Sequence, residues 1–507
     1  MGRKNLFGPD RICAVVAAST AKQMAQQLRL TLRQTRTVEL RLDWLKDKGE
    51  IIRLLSWLRA HRLRATLIAT CRRRVAGGRF SGPVEDQLAV LMVAAAAGCA
   101  WCDVEVESAE ELRRGRLRSF FGEKRVLVSW HDFRAAPRQL QSVLKRLSRN
   151  SGDAVKIATQ CNSIRDSVRV LAVARGRRNV VAVPMGEAGL PARVLALREG
   201  SALAYASVGE ATAPGQVSLE EMKQLYRADQ LDRRTRVYGV IGNPVSHSLS
   251  PLLHNTGFIA RRMNAVYLPF LVKELRDFLF AIEPMGIAGF SVTLPHKEAI
   301  LRHLDDCDPL AEAIGAVNTV VVRGGGKLYG YNTDYVGVLR ALEKRVALRG
   351  SRVLVLGAGG AAWATALALA RAGAIVAICA RRKAKARELA RAVRGEVIQW
   401  ESPRSEFFDA IVNATPVGMF PFVRDSLLRA AELNCRVVMD LVYRPMKTEL
   451  LRRAERRGIE TVSGVEMFLA QGIAQWEIWS GLRAPEAAMR RAVLAALRRD
   501  ERRRGAA

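Results

Sequence analysis

Short apolar runs alternate with helix-like segments throughout the first half of the chain. Apolar runs of this length, bounded by polar segments, are typical of buried β-strands. They lie at residues 11–17, 37–42, 65–70, 101–106, 125–129, 154–158, 180–184 and 202–206. Eight successive β-units predict an α/β fold, a (β/α)8 barrel, in which active sites form at the carboxyl ends of the strands.

A different pattern opens in the second half, where the buried strand Val353-Leu-Val-Leu356 leads into a glycine-rich turn. An alanine-rich run over 361–372 follows the turn and predicts a helix. Such a turn lets the backbone approach a pyrophosphate, and the helix N-terminus presents unpaired N–H groups to it. We therefore predict a dinucleotide-binding βα unit. Its cofactor contacts are Gly357, Ala358, Gly359, Gly360 and Ala361.

A membrane helix is the alternative interpretation of this apolar stretch. Arg371 and four glycines interrupt residues 353–380, and no uninterrupted apolar run reaches the ~20 residues that a span needs. The next predicted strand, 375–379, is followed by Arg381, Arg382 and Lys383. A site that prefers NAD usually carries Asp or Glu here, whereas cations match a 2′-phosphate. The predicted cofactor is therefore NADP(H).

Composition adds a basic surface to this picture. The chain has 507 residues, enough for two or more domains, and a formal net charge of +32. The arginines are dispersed over predicted helices, and no helix-turn-helix, zinc-finger or aromatic RNA-binding pattern accompanies them. We expect nonspecific binding of polyanions in low salt. We expect no specific nucleic-acid partner, no membrane partner and no bound metal, and the oligomeric state stays open.

The eight cysteines are scattered, and the opening Met1-Gly-Arg-Lys-Asn leads into no apolar secretory run. Both features predict a cytoplasmic protein. Cys99 and Cys102 have the spacing of a redox pair, but they lie on the approach to a strand. We interpret them as packing cysteines.

Charged residues occupy every second position at the second predicted strand: Glu39, Arg41 and Asp43. Alternate residues of a strand share one face. A half-exposed strand with outward charges is one interpretation. Because the outer face of a barrel meets helices, inward charges near the mouth are the other.

Polar residues also close later strands. Arg72 follows the third and His131 the fifth, where a structural histidine and a catalytic one are both tenable. Lys156 lies inside the apolar strand Ala154-Val-Lys-Ile-Ala158. A buried lysine is costly unless its charge is paired or lost, and a neutral amine can attack a ketone to form a Schiff base. Lys156 is therefore the central candidate.

The motifs of the first half run in order: Glu39-Leu-Arg41-Leu-Asp43, Thr70-Cys-Arg72, Ser129-Trp-His131-Asp132-Phe133, Asp153-Ala-Val-Lys156-Ile-Ala, Met185-Gly186 through Arg193, and Ala213-Pro214-Gly215-Gln216. Over about residues 8–226 they resemble type I 3-dehydroquinate dehydratase. The resemblance implies an imine between Lys156 and the substrate ketone, with His131 as the acid and base. It implies substrate contacts for Glu39, Arg41, Arg72, Arg193, Thr212 and Gln216.

Two positions depart from that family. Ala76 stands before Gly77-Gly78, where the family usually has Glu, and Ala192 stands before Arg193, where it usually has Ser. An alternative hypothesis follows, in which the barrel is impaired or purely structural.

The second half carries its own set of polar motifs. They are Ser246-His247-Ser248-Leu-Ser250-Pro251, Ser291-Val-Thr293-Leu-Pro-His296-Lys297, Gly315-Ala-Val-Asn318-Thr319 and Asn332-Thr333-Asp334. Ser248 and Ser250 can face a carboxylate, or cap a helix that begins with Pro. A Lys–Asp pair beside a nucleotide can move the alcohol proton as hydride leaves the carbon.

Three further motifs complete the set: Asn413-Ala-Thr415-Pro416-Val-Gly418-Met419, Asp440-Leu-Val-Tyr443-Arg-Pro445 and Met467-Phe-Leu-Ala-Gln471-Gly472. Across about residues 236–490 the chain resembles shikimate dehydrogenase. The resemblance implies a catalytic pair, Lys297 and Asp334. It implies shikimate contacts for Ser248, Ser250, Thr293, Asn318, Tyr443 and Gln471, and cofactor contacts for Thr415, Leu441 and Gly464. One departure is Ala380-Arg381-Arg382, where the family often has Asn-Arg-Thr.

Together, the two resemblances imply four segments. They are a barrel dehydratase (1–232), a substrate-binding domain (233–338), an NADP-binding Rossmann domain (339–464) and C-terminal helices that return to the substrate domain (465–507). The predicted protein is a bifunctional enzyme of aromatic amino-acid biosynthesis. It would convert 3-dehydroquinate to 3-dehydroshikimate and then, with NADPH, to shikimate.

Overall fold

The computed structural model describes residues 6–8, 10–112, 116–209, 215–400 and 405–505. The chain divides into two compact units. The first contains the residues up to Val237, with Asn243–Ser246 and Asn264–Gly286, and the second contains Tyr238–Gly242, His247–Met263 and the residues from Ile287 onward.

Eight parallel strands form the centre of the first unit. They are β1 (Ile12–Val16), β2 (Thr37–Arg41), β3 (Thr66–Thr70), β4 (Trp101–Glu105), β5 (Arg125–Asp132), β6 (Ala154–Gln160), β7 (Val180–Met185) and β8 (Ala204–Ser207). Their order is β7-β6-β5-β4-β3-β2-β1-β8. The two ends of the sheet meet where Ala202 N–H donates to Val180 O at 2.9 Å. The predicted barrel is confirmed, and each strand overlaps a predicted run.

Helices follow the strands of this barrel. They are α1 (Ala21–Thr31), α2 (Lys48–His61), α3 (Val84–Ala96), α4 (Val106–Glu111), α5 (Arg116–Phe121), α6 (Leu140–Ser148), α7 (Ile164–Ala172) and α8 (Leu190–Leu195). Side-chain caps fix several starts, because a capping oxygen satisfies an N–H that the first turn leaves unpaired. Thr20 caps α1 and Asp47 caps α2, while Ser163 and Asp166 form a capping box on α7.

The first unit also includes β10 (Ala265–Leu271) and α10 (Leu275–Met285), and α10 packs against α7. Arg165 of α7 pairs with Asp277 at 3.0 Å, and its guanidinium carbon lies 4.3 Å from the centroid of the Phe280 ring. Arg175 donates to Pro284 O at 2.7 Å.

One mixed sheet adds β9 (Arg236–Gly242), β11 (Ile287–Val292), β12 (Asp306–Cys307), β13 (Thr319–Val322) and β14 (Leu328–Tyr331). Its order is β10-β9-β11-β13-β14-β12, and β13 runs antiparallel to both neighbours. The helices associated with it are α9 (Ser250–Ala260), α11 (Pro309–Ile314), α12 (Asp334–Leu342), α16 (Gly464–Ser480) and α17 (Glu486–Gly505).

The other sheet of the second unit is parallel throughout. It contains β15 (Arg352–Leu356), β16 (Ile375–Cys379), β17 (Glu396–Val397), β18 (Phe408–Asn413), β19 (Cys435–Asp440) and β20 (Glu460–Val462), with α13 (Gly360–Arg371), α14 (Lys383–Ala392) and α15 (Glu449–Arg456). The order β17-β16-β15-β18-β19-β20 is that of a Rossmann fold. Ligands of such sheets bind at the carboxyl ends where the order reverses, here between β15 and β18.

The apolar stretch 353–380 is therefore a strand, a helix and a second strand rather than a membrane helix. No helix in the described ranges is both long and apolar enough to cross a membrane. All eight cysteines are free. Cys99 and Cys102 are buried, and burial raises the pKa of both thiols, that of Cys102 to about 12.

Candidate active sites

The barrel interior brings together most of the polar side chains predicted for the first site. Glu39 of β2, Arg72 just after β3 and Lys156 of β6 are each at most 4 % exposed. In the parallel register, Lys156 stands beside Ser129 of β5, which stands beside Glu105 of β4. The charges at the second strand thus point inward, as the barrel interpretation expects.

Lys156 keeps its charge paired inside the barrel. Its Nζ donates a hydrogen bond to Asp103, lies 3.8 Å from Glu39 Oε1, and sits 4.8 Å from the centroid of the Tyr205 ring. Thr70 Oγ1 donates to Glu39 at 2.6 Å and fixes that carboxylate. The amine therefore lies between two carboxylates and an aromatic ring inside the barrel.

Asp103 and Glu105 are functional candidates that the sequence analysis missed. Asp103 accepts from Arg72 at 3.0 Å and from Ser129 Oγ at 2.6 Å. Burial alone would raise the pKa of Asp103, but the neighbouring Arg72 and Lys156 cations hold it well below its usual range. The signal was present, because Asp103 and Glu105 alternate along β4 as Glu39 and Arg41 do along β2.

His131 lies in β5, with its ring stacked on Phe133 at a centroid separation of 6.2 Å. Burial, together with the Arg72 and Lys156 cations, lowers the pKa of His131 well below its ordinary value. Its buried Nδ1 has no hydrogen-bond partner within the described part of the chain. His131 is thus a neutral imidazole near neutral pH, which can accept a proton.

Four other substrate contacts were predicted for the first site. Arg41 forms a two-point pair with Asp43 at 2.9 and 2.8 Å. Arg193 of α8 donates twice to Pro184 O at 3.1 and 3.0 Å, and burial lowers its pKa to about 10. Gln216 is half-buried, and Thr212 lies outside the described residues.

The two departures from the dehydratase pattern occupy different surroundings. Ala76 ends the short turn Arg74–Ala76 and is half-buried, whereas Ala192 is fully buried in α8. Gly77 follows with φ +77°, and a Cβ there would stand 2.3 Å from the Phe133 ring. The turn therefore lies against the end of β5. The methyl side chain of Ala76 cannot form a hydrogen bond with His131.

In the second unit, Lys297 and Asp334 form an ion pair at 2.6 Å. Lys297 follows β11, and Asp334 is the first residue of α12. Asn318 Nδ2 donates to the other carboxylate oxygen of Asp334 at 2.8 Å. The Lys297 side chain is 31 % exposed and that of Asp334 12 %, so the ammonium faces outward from a fixed carboxylate.

Gln475 of α16 was not identified from the sequence. It is connected to the Lys297–Asp334 pair through Asn318. Its Nε2 donates to Asn318 O at 3.1 Å and to Thr319 Oγ1 at 2.9 Å, while its Oε1 accepts from Ser291 Oγ at 2.8 Å. A single helical residue thus ties β11 to β13. Gln475 comes four positions after Gln471, on the same face of a helix, which is the signal that could have revealed it.

Ser248 and Ser250 lie at the start of α9, where Ser250 N–H donates to Ser248 Oγ at 3.2 Å. Leu249 occupies the N-cap position of α9 and no side chain caps the helix there, so the contact of Ser248 is with the N–H of the first helical residue. Across the same unit, Tyr443 stacks on Phe468 at a centroid separation of 5.0 Å. Gln471 donates to Phe468 O at 2.9 Å, and Thr293 N–H donates to Ile241 O at 3.0 Å.

The glycine turn after β15 has the geometry that a dinucleotide requires. Gly357 adopts φ +119°, and a Cβ there would stand 3.0 Å from Thr415 Cγ2. At Gly359 and Gly360, which begin α13, no described atom outside the neighbouring chain lies within 4 Å of the Cβ position. Ala358 is buried and Ala361 exposed. The helix N-terminus is open to a phosphate.

The residues after β16 and β18 complete this edge of the parallel sheet. Arg381, Arg382 and Lys383 are all exposed. Thr415 Oγ1 donates to Asn413 Oδ1 at 2.7 Å, and a Cβ at Gly464 would stand 2.5 Å from Leu441 O. These residues fit a phosphorylated dinucleotide, because cations lie where its ribose phosphate would reach.

Comparisons with known proteins cover both units. Family models match at residues 12–233 (type I 3-dehydroquinase), 240–320 (shikimate dehydrogenase substrate binding domain) and 464–494 (shikimate 5′-dehydrogenase C-terminal domain). The chain is 36 % identical over 512 residues to a chloroplastic bifunctional 3-dehydroquinate dehydratase/shikimate dehydrogenase of Arabidopsis thaliana. That match covers 94 % of this chain and 83 % of the relative.

Two further relatives match the second half alone. A shikimate dehydrogenase (NADP(+)) of Symbiobacterium thermophilum is 45 % identical over 280 residues, which are 52 % of this chain and 95 % of the relative. A crystal structure of shikimate dehydrogenase in complex with NADP+ superposes with a TM-score of 0.50 and 35 % identity. The superposition covers 53 % of this chain and 98 % of the chain in that crystal structure.

Proposed function

Since this chain belongs to the family of bifunctional 3-dehydroquinate dehydratase/shikimate dehydrogenases, we propose that it catalyses two successive reactions. The barrel dehydrates 3-dehydroquinate to 3-dehydroshikimate, and the second unit reduces that product to shikimate with NADPH. The observation that carries the proposal is the coexistence in one chain of a buried, carboxylate-paired Lys156 and an ion pair between Lys297 and Asp334.

In the dehydratase, Lys156 loses a proton from Nζ to solvent and adds to the substrate ketone as a neutral amine, and water then leaves to give an imine. His131 then takes a proton from the neighbouring carbon, and the electron pair moves into the imine. The ring hydroxyl departs with the proton from His131 as water, after which hydrolysis of the imine frees Lys156. The neutral state that burial imposes on His131 suits the proton-accepting step.

The substrate contacts of the barrel are part of the proposal. Arg72 and Asp103 orient Lys156, since both reach it through one hydrogen-bonded cluster. The substrate carboxylate and hydroxyls are assigned to Glu39, Arg41, Arg72, Arg193, Thr212 and Gln216. With Ala76, the chain lacks the carboxylate that the family usually has at this position. The imine-forming lysine and its partners are retained, and this supports an active dehydratase over a structural barrel.

In the dehydrogenase, bound NADPH supplies the hydride that reduces the ketone carbon. Lys297 donates a hydrogen bond to the ketone oxygen and delivers a proton as negative charge develops there. Asp334 orients the ammonium, and Asn318 holds Asp334. Ser248, Ser250, Thr293, Asn318, Tyr443 and Gln471 are assigned to the shikimate carboxylate and hydroxyls.

The cofactor contacts are assigned to the carboxyl edge of the parallel sheet. Gly357, Ala358, Gly359, Gly360 and Ala361 receive the pyrophosphate, and Arg381, Arg382 and Lys383 receive the 2′-phosphate. Thr415, Leu441 and Gly464 line the nicotinamide end. The segment boundaries 1–232, 233–338, 339–464 and 465–507 are proposed on the same basis.

The proposal extends to a cytoplasmic location and to the lack of a specific nucleic-acid partner. Eight free cysteines support a reducing compartment. Fractionation would test the location. A salt titration of any DNA binding would test the second point, because a nonspecific association weakens steeply with salt.

The two reactions can be followed separately in one cuvette. Addition of 3-dehydroquinate alone should raise the enone absorbance of 3-dehydroshikimate, and subsequent NADPH should lower that absorbance as NADPH is consumed. The absence of an enone rise would remove the dehydratase assignment. The absence of NADPH oxidation with added 3-dehydroshikimate would remove the dehydrogenase assignment.

A further inference from the structure

Arg444 lies in the loop after β19, immediately after Tyr443, and contacts the loop that carries Ser248. Its guanidinium donates to His247 O at 2.9 Å. The same side chain lies 3.9 Å from Asp500 of α17 and is 24 % exposed. Arg444, in the loop that follows the parallel strand β19, thus contacts both the loop that carries Ser248 and the C-terminal helix α17.

The accepted carbonyl belongs to the peptide that joins His247 to Ser248. A hydrogen bond to this oxygen restricts the rotation of the peptide plane and therefore the direction of the Ser248 side chain. Ser248 in turn accepts from Ser250 N–H at 3.2 Å. Arg444 thereby constrains both serines, although it bonds to neither of them.

The neighbouring residues reinforce this connection. Met446 N–H donates to Glu501 of α17 at 3.1 Å, and α17 packs on α9, which begins at Ser250. The loop after β19 is therefore fixed on the same helix that supports the serine segment. An ordered guanidinium needs such a support, because a free arginine side chain loses rotamer entropy when it is immobilised.

We propose that Arg444 is a positioning residue for substrate binding in the dehydrogenase. It holds Ser248 and Ser250 in the geometry that receives the substrate carboxylate, and it links that geometry to the sheet that binds the nucleotide. The inference rests on the proposed shikimate dehydrogenase function. It assigns to Arg444 no contact with the substrate or with the cofactor.

The expected signature is selective. Replacement of Arg444 by Met removes the donor at similar length, so the Michaelis constant for shikimate should rise about tenfold, the size of one charged hydrogen bond. The Michaelis constant for NADP and the turnover number should change less than twofold. Arg444→Lys, which keeps a cationic donor, should recover part of the loss.

Arg436→Met is the matched control. Arg436 lies near the start of β19, whereas Arg444 follows the end of that strand. The Arg436 side chain is 72 % exposed and pairs at 3.6 Å with Asp409, and it has no hydrogen bond to the serine segment in the described residues. All kinetic constants of this variant should match the unmodified enzyme.

The test uses the full chain, with shikimate oxidation, dehydratase activity and the thermal midpoint measured on each preparation. An unmodified enzyme that does not oxidise shikimate would defeat the proposed function itself. If the unmodified enzyme is active, a shikimate Michaelis constant within twofold in Arg444→Met would overturn the positioning role. An equal loss in every constant together with a lowered thermal midpoint would overturn it too, because that pattern describes a structural residue.

Discussion

Lys156 is bound to Asp103 and lies close to Glu39. Its replacement should abolish the dehydratase reaction without unfolding the barrel, because the other contacts of Asp103 remain. Asp103 also pairs with Arg72 at 3.0 Å and accepts from Ser129, and we expect both contacts to persist in Lys156→Ala. We expect dehydration of 3-dehydroquinate to disappear, because no other amine reaches this point of the described barrel interior. Oxidation of shikimate by the same preparation should be unchanged, and a progress curve of each reaction provides the measurement.

Borohydride offers an independent check of the imine. Reduction in the presence of 3-dehydroquinate should attach a substrate-sized mass to the peptide that contains Lys156, and Lys156→Ala should acquire none. An undiminished dehydratase in that variant would rule out the Schiff-base assignment.

We expect Lys297 to stabilise the transition state of hydride transfer more than it stabilises the bound substrate. Negative charge appears on the ketone oxygen as hydride arrives, and an ammonium hydrogen-bonded there gains most at that moment. Positioned acid–base groups contribute roughly 10²–10⁴-fold in rate. Lys297→Ala should lower the turnover number of shikimate oxidation by about that factor, with a much smaller change in the shikimate Michaelis constant.

The dehydratase rate of the Lys297 variant serves as its internal control and should be retained. A large rise in the Michaelis constant at normal turnover would identify Lys297 as a substrate anchor. The proton donor would then have to be sought among the residues around Asn318 and Asp334.

At the scale of elements, the turn between β16 and α14 should set the choice of cofactor. Arg381 and Arg382 are exposed at the carboxyl edge of the parallel sheet, where neither is engaged by a carboxylate of the described chain. A guanidinium bound to a 2′-phosphate gains about 1.5–3 kcal/mol. Replacing both arginines with Ala should therefore raise the Michaelis constant for NADP by at least roughly ten- to a hundredfold, the size of one such bond, and alter that for NAD little.

Lys385→Ala, an exposed cation one turn further into α14, is the matched control for nonspecific charge. An equal rise for NADP and NAD in the double arginine variant would mean that the two side chains only face solvent.

Elements with a regular pattern were predictable from the sequence, and sites made by distant contacts were not. The apolar runs located all eight barrel strands, and the glycine turn located β15 and α13, because strand and turn chemistry are local. The link between Gln475 and Asn318 joins residues 157 positions apart. The local spacing of Gln471 and Gln475 indicates a shared helix face, but it does not identify Asn318 as the partner. The strand of Asp103 was predictable, but its role was not, because that role depends on contacts with Arg72, Ser129 and Lys156, which come from other parts of the barrel.

Very short strands escaped prediction for a different reason. Asp306–Cys307 and Glu396–Val397 are strands only because a longer neighbour pairs with them. Two residues carry too little periodicity to identify a strand, so their assignment depends on the assembled sheet.

At the scale of the whole molecule, each described candidate site is built within a single unit. The barrel residues all precede Val237, whereas Ser248, Lys297, Asp334 and the nucleotide turn all belong to the second unit. Among the described residues, neither candidate site includes a side chain from the other unit. The two activities should therefore be separable by single substitutions, and each defective enzyme should complement the other.

A mixture of Lys156→Ala and Lys297→Ala tests this separation directly. Each variant alone should convert almost no 3-dehydroquinate to shikimate in the presence of NADPH, because one step is missing. Mixed at equal concentration, they should restore NADPH consumption after a lag, since 3-dehydroshikimate must leave one molecule and accumulate to the Michaelis constant of the next. The control adds 3-dehydroshikimate directly to Lys156→Ala, which should oxidise NADPH without a lag. Failure of the mixture, when each variant retains its own half reaction, would show that 3-dehydroshikimate does not pass from one molecule to another.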